Sequence, residues 1–229
     1  PAGGAVIVPH GSRLQVSLSG GAESGAVPDL MLDDRATPFR TLDRTSFTAD
    51  AVLEQGGRLA VRRDGRDIAQ WTLAVRADMP PIVAFDAPPA RAQRGLAIRL
   101  PWRAEDDWGV RTLRAELRLA ARMMADPLVV DLPLPGTLPR QARGAAQPDL
   151  SAHPWAGLEV VIRLVAEDGA EQEGASDEAR LTLPERSFTH PVAQALIAVR
   201  RALALDPDAR APARSELDRI TGEPESFEH

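Results

Sequence analysis

Carboxylates are the side chains of this chain whose spacing comes nearest to chemistry. Glu105, Asp106 and Asp107 stand side by side just ahead of a strand, Glu167 and Asp168 share the turn that ends a later strand, and Asp78 adds an acid at a proline-rich boundary. Hard cations such as calcium collect about six to eight oxygen ligands, and acidic turns at the ends of sandwich domains can supply them. Glu105, Asp106 and Asp107 are therefore the candidate calcium ligands. Against this, the chain has no D-x-[DN]-x-[DN]-G loop, and acids at turns ordinarily face water or cap their own backbone. The expectation is solvated or capping carboxylates, with no metal and no cofactor.

Tryptophan supplies a second chemistry. Flat indole faces stack on sugar rings, so Trp102, Trp108 and Trp155 would make a polysaccharide or peptidoglycan platform if they were exposed together. Trp71 is in phase with the apolar face of its strand and reads as core. A third candidate is the stripe Val192, Leu196, Val199 and Leu203, spaced for one face of a helix. Leu196, Val199 and Leu203 would contact a partner there, unless the stripe packs on the chain itself. Catalysis finds little support. His10, His153, His190 and His229 lack ligand spacing, there is no G-x-S-x-G elbow or phosphate loop, and Ser12 and Ser151 sit at turns. No enzyme is expected.

Composition narrows the class. The 229 residues carry a net charge of -6, and all 27 basic side chains are arginine, scattered among acids. That disfavours nucleic acid as a partner. With no cysteine there are no disulfides or thiolate sites. Seventeen glycines and 20 prolines suit many short strands joined by turns.

The elements that position these residues are mostly strands. Leu113, Ala115, Leu117 and Leu119 alternate with Thr112, Arg114, Glu116 and Arg118, which is the period-two pattern of a half-buried strand. Similar runs appear at residues 5–8, 14–18, 28–32, 46–53, 58–61, 68–77, 82–85, 96–100, 128–134, 158–164 and 179–183. Asp64-Gly65 and Asp168-Gly169 read as hairpin turns, and residues 135–148 as a polar, proline-bearing loop. Asp78-Met79-Pro80-Pro81 reads as a stiff linker. The order of signals recurs on either side of it, GGRLAVRRDG beside AGLEVVIRLVAEDG, as a tandem duplication would leave it. After Pro184 the period becomes helical. Thr189 or His190 caps, Pro191 enters the first turn, and a second helix starts after Asp206-Pro207 and breaks at Gly222.

The expected fold is mainly β: two tandem immunoglobulin-like β-sandwich domains, residues 1–79 and 80–184, then a short helical segment, 185–229, that begins a truncated helical region. Three passages carry a family resemblance. VPHGSRLQVSLSGG near the start, the acid-acid-aromatic-Gly-Val turn from Asp106 to Val110, and LPERSFTHPVAQALIAVRRALALDP at residues 183–207 resemble the membrane-anchored alphaproteobacterial proteins of domain of unknown function 4175. The resemblance implies membrane helices before Pro1, an extracytoplasmic sandwich region on the periplasmic side of the inner membrane, and a helical or low-complexity tail after His229. It supplies no catalytic residues. The expected role is a scaffold or interaction module with envelope proteins as partners.

Overall fold

A computed structural model describes residues 2–20 and 26–222. Gly21, the last residue of the VPHGSRLQVSLSGG passage, and the final residues 223–229 with His229 lie outside the described residues. The chain divides after Asp78 into two compact units.

The first unit holds β1 (Ala2–Pro9), β2 (Ser12–Ser19), β3 (Asp29–Leu32), β4 (Arg35–Pro38), β5 (Arg40–Thr41), β6 (Ser46–Leu53), β7 (Gly57–Arg63) and β8 (Arg66–Arg76). One sheet runs β1-β8-β7-β3-β4 and the other β2-β6-β5. Between them lie Leu30, Phe39, Phe47, Ala49, Leu53, Leu59, Val61 and Leu73, with Trp71 packed at the margin. The β7–β8 turn has φ of 51° at Asp64 and 76° at Gly65. Two successive positive φ values make the tight primed turn that matches strand twist, which is why Asp-Gly sits there. β1 pairs with β8 in parallel, from Ala5 opposite Thr72 to Pro9 opposite Arg76.

The second unit holds β9 (Ile82–Phe85), β10 (Ala90–Arg91), β11 (Ile98–Glu105), β12 (Val110–Leu119), β13 (Leu128–Asp131), β14 (Gln141–Ala146), β15 (Glu159–Asp168), β16 (Glu173–Ala175), β17 (Ala179–Thr182), α1 (Pro191–Leu205) and α2 (Arg210–Gly222). β11 pairs with β9, β10 and β14 in one layer, while β13-β12-β15-β16, with β17 beside β15, form the other. The apolar faces of β11, β12 and β15 meet in the core: Ile98, Leu100 and Trp102 against Leu113, Leu117 and Leu119, and against Val160, Ile162 and Leu164. Each fully buried aliphatic side chain of this kind contributes about 1.5–3 kcal/mol.

Both units therefore share one skeleton of immunoglobulin-like sandwiches. A central antiparallel pair, β2–β6 or β11–β14, faces a sheet built on β3–β7–β8 or on β12–β15 with β16 and β17. They differ in the first strand, which joins β8 in the first unit and β11 in the second.

Three local expectations are corrected. Residues 135–148 are not wholly loop, because β14 pairs with β11 from Gln141 opposite Glu105 to Ala146 opposite Leu100. The reversal after β15 is also longer than an Asp-Gly turn: Asp168 N donates to Gln172 O, and the positive φ of 65° falls at Glu171. Finally, Glu116 lies on the polar side of the β12 alternation yet is buried. The guanidiniums of Arg114 and Arg163 fold over it, at 3.1 and 2.7 Å.

α1 starts as its cap dictates. His190 Nδ1 accepts from Val192 N at 3.2 Å and Pro191 follows at the first helical position. Pro212 lies in the first turn of α2, where a missing N–H costs little.

Candidate functional site

The acidic turn between β11 and β12 is built around Asp106. Its Oδ2 accepts from Trp108 N at 2.8 Å and Gly109 N at 2.5 Å. Gly109, at φ 114°, passes so close to Leu138 that a Cβ there would meet its carbonyl oxygen at 2.3 Å. Only glycine fits this approach. Glu105 and Asp107 point to solvent on either side. The structure thus separates the three candidate ligands: Asp106 turns inward, while Glu105 and Asp107 do not join it.

What joins Asp106 is Asp168, at the end of β15. The β12–β15 register sets Val110 opposite Asp168, which carries the two turns to the same end of the sandwich. One oxygen of Asp106 and one of Asp168 lie within 4.8 Å of each other. Asp168 Oδ1 accepts from Ala170 N and Gln172 N, both at 2.8 Å. Asp106 is 8% exposed and Asp168 0%. The second oxygen of each, Asp106 Oδ1 and Asp168 Oδ2, is buried with no hydrogen-bond partner. Nearby cations are engaged elsewhere: Arg111 pairs with Glu167, and the Arg140 guanidinium lies 5.5 Å from the centre of the Trp108 ring. The cleft beside Asp106, about 620 Å³, is lined by Met79, Pro80, Ile82, Glu105, Arg140 and Gln141.

The tryptophans form no exposed platform. Trp102 is 2% exposed, inside the core between the sheets. This corrects its reading as a sugar-stacking residue. β11 points it inward, against β14. Trp155 packs at the edge of the same core and meets His153 edge-on, with ring centroids 5.0 Å apart. Trp108 is half-buried over its own turn.

The helical stripe is corrected as well. Val199 and Leu203 belong to a small core with Ala213 and Ile220 that holds α1 against α2. They are covered by the chain itself and do not wait for a partner. Leu196 remains 44% exposed. Glu185 fastens α1 to its sandwich, accepting from both Arg200 and Arg201. Arg200 also donates to Ala156 O at 2.6 Å, and Arg122 reaches Ala204 O at 2.9 Å. Of the histidines, His153 and His190 accept from backbone N–H groups two residues on, as turn and cap residues do.

Sequence reasoning grouped Asp106 with Asp168 among the turn acids but took its chain neighbours Glu105 and Asp107 as the fellow ligands. Asp168 became its companion through strand register, which adjacent residues do not reveal.

Several solved structures are similar to the chain. Fibronectin(III)-like modules of CbhA from Clostridium thermocellum share 15% identity, with 83% of this chain and 96% of that one covered and a TM-score of 0.40. A DUF3823 family protein from Bacteroides ovatus shares 12% identity over 75% of this chain and all of its own, with a TM-score of 0.33. The titin domains z1z2 in complex with telethonin share 12% identity, over 80% of this chain and 94% of that one, with a TM-score of 0.30. No curated protein matches the chain. The match that covers all of it, residues 1–229, is to the domain of unknown function DUF4175, and the chain belongs to that family.

Proposed function

We propose that this chain is a non-catalytic protein-interaction scaffold, the extracytoplasmic part of a membrane-anchored envelope protein, with the α1–α2 hairpin as its docking face. The observation that carries this reading is a helix pair held rigidly on its sandwich while presenting apolar side chains outward. Glu185, Arg200 and Arg122 fix α1, and Leu196 and Leu217 remain 44% and 38% exposed. Phe188, 46% exposed, heads a groove of about 280 Å³ that also includes Ile197 and Ala198. A face of this kind suits a partner that buries apolar area against a prearranged surface, with little ordering cost on this side. No helix among the described residues is long and apolar enough to cross a membrane, and on this reading the anchor belongs to another part of the parent protein.

The test is cross-linked capture from envelope extract with the intact chain and with a Leu196→Glu, Leu217→Glu variant. Protein partners retained by the first and lost by the second, with both melting alike, support the docking face. Partners retained equally by both remove it. Enrichment of glycan or murein fragments without protein replaces the scaffold by a ligand-binding module.

A further inference from the structure

Two carboxylates buried side by side raise a question of charge. Asp106 and Asp168 each use one oxygen to cap a turn through two backbone N–H groups. Each leaves its other oxygen buried and without a hydrogen bond. Capping explains half of each side chain. It leaves the remaining pair of oxygens, on groups that approach within 4.8 Å, without a hydrogen-bond donor, and Arg111, whose charge reaches Asp168, is ion-paired to Glu167. Buried polar atoms are ordinarily satisfied, and two neighbouring carboxylates repel unless a cation or a shared proton lies between them.

We propose that Asp106 and Asp168 bind a hard divalent cation, calcium, at the end of the second sandwich. The donors are carboxylate oxygens, with no cysteine in the chain and no histidine in the cluster, which selects calcium or magnesium over softer metals. Calcium is favoured because it accepts irregular oxygen shells with carboxylates, carbonyls and water, whereas magnesium demands a near-ideal octahedron. The cleft beside Asp106 gives an ion and its waters a route in. The backbone caps hold each carboxylate in a fixed orientation before the ion arrives, which lowers the ordering cost of binding. The site is distinct from the helical docking face, and its test is independent of that reading.

The test uses the full chain, stripped with chelator, and reads melting temperature and terbium luminescence. Terbium substitutes for calcium on oxygen ligands and is sensitised by nearby indole. Trp108, whose backbone N–H caps Asp106, is the antenna. Calcium at a hundredfold excess over its Kd is expected to raise the melting temperature of the unit that carries the site by about 5–10 °C. Terbium emission should saturate at one ion per chain and be displaced by calcium. Asp106→Asn and Asp168→Asn keep an amide oxygen for the cap and remove the charge, so both should abolish the rise and the emission. A wild-type melting temperature unmoved by millimolar calcium overturns the proposal. So does a rise that persists in both variants, or a protein that is stabilised by acid and indifferent to calcium, the mark of a shared proton. Equal stabilisation by magnesium overturns the assignment to calcium. If either variant fails to fold, the wild-type titrations decide alone.

Discussion

Trp102 fills the space that a side chain at position 144 would need: a Cβ on Gly144 would fall 2.7 Å from the indole Cζ2. The two residues face each other across the β11–β14 ladder. Gly144→Ala therefore overpacks a closed core and should lower unfolding stability by about 1–3 kcal/mol. Replacing the indole as well, in Trp102→Phe with Gly144→Ala, should recover part of that loss. A double-mutant cycle by denaturant unfolding measures the coupling. Strict additivity would mean that the indole and position 144 do not compete for space.

Glu116 should govern part of the acid sensitivity of the second unit. Burial alone pushes its carboxyl up, but hydrogen bonds from Arg163 and Arg114 outweigh burial and hold it below the usual carboxylate range. The folded state thus favours the charged form. Its contribution is present above the unfolded value and fades as pH falls through the lower folded one. Glu116→Gln should cost about 1 kcal/mol at neutral pH, a small figure because both arginines are partly exposed to solvent. Melting curves between pH 2 and 7 should converge for wild type and variant at the acid end, on this linkage argument.

His153 should act in the same direction at higher pH. Burial pushes its imidazole below its ordinary value of 6.5, so the unfolded chain binds a proton more readily than the folded one. Stability from the neutral ring is complete above pH 6.5 and declines as pH drops through the folded value. His153→Asn retains an acceptor for Trp155 N and removes the titration. The stability difference between wild type and this variant should shrink on acidification from pH 7 to 5, the window in which an unperturbed histidine titrates.

Glu185→Gln should loosen α1 without unfolding the sandwich. The substitution weakens a carboxylate that accepts from both Arg200 and Arg201. Amide hydrogen exchange in α1 and α2 should accelerate about tenfold for each ~1.4 kcal/mol lost in local opening, while β12 and β15 keep their protection. Uniform acceleration would show instead that the helices and strands open as one unit.

Legibility in the sequence followed the side chains that define each element. β12 was readable because its large aliphatic residues alternate with polar ones over a full eight positions. β14 was not, because a strand facing Trp102 must present Ala142, Gly144 and Ala146, and small residues erase the alternation that marks a strand. The short β4, β5 and β10 are too brief to show a period. α1 was legible from its proline start and the Val192–Leu203 spacing, whereas Asp206-Pro207 opens a turn and α2 begins only at Arg210. That stripe marked a buried face correctly, but its cover is α2. Asp106 and Asp168 both stand among the turn acids of the sequence, with Glu105 and Asp107 as the candidate co-ligands of Asp106. Register selected the inward one and matched it with Asp168, 62 positions later by number. Glu116 shows the converse, a charge on a polar face that its own arginines bury.

The parallel pairing of β1 with β8 has a mechanical meaning. These are the entering and leaving strands of the first unit, and they are hydrogen-bonded side by side. Tension along the polypeptide pulls the start of β1 and the end of β8 in opposite directions, so it shears the ladder and loads its bonds together. In the second unit the entering strand β9 bonds to β11 and β17 bonds to β15, in different layers, so among the described residues no strand pairing joins β9 to β17. The pairing of β1 with β8 therefore makes the first unit one in which force meets a whole ladder of hydrogen bonds at once.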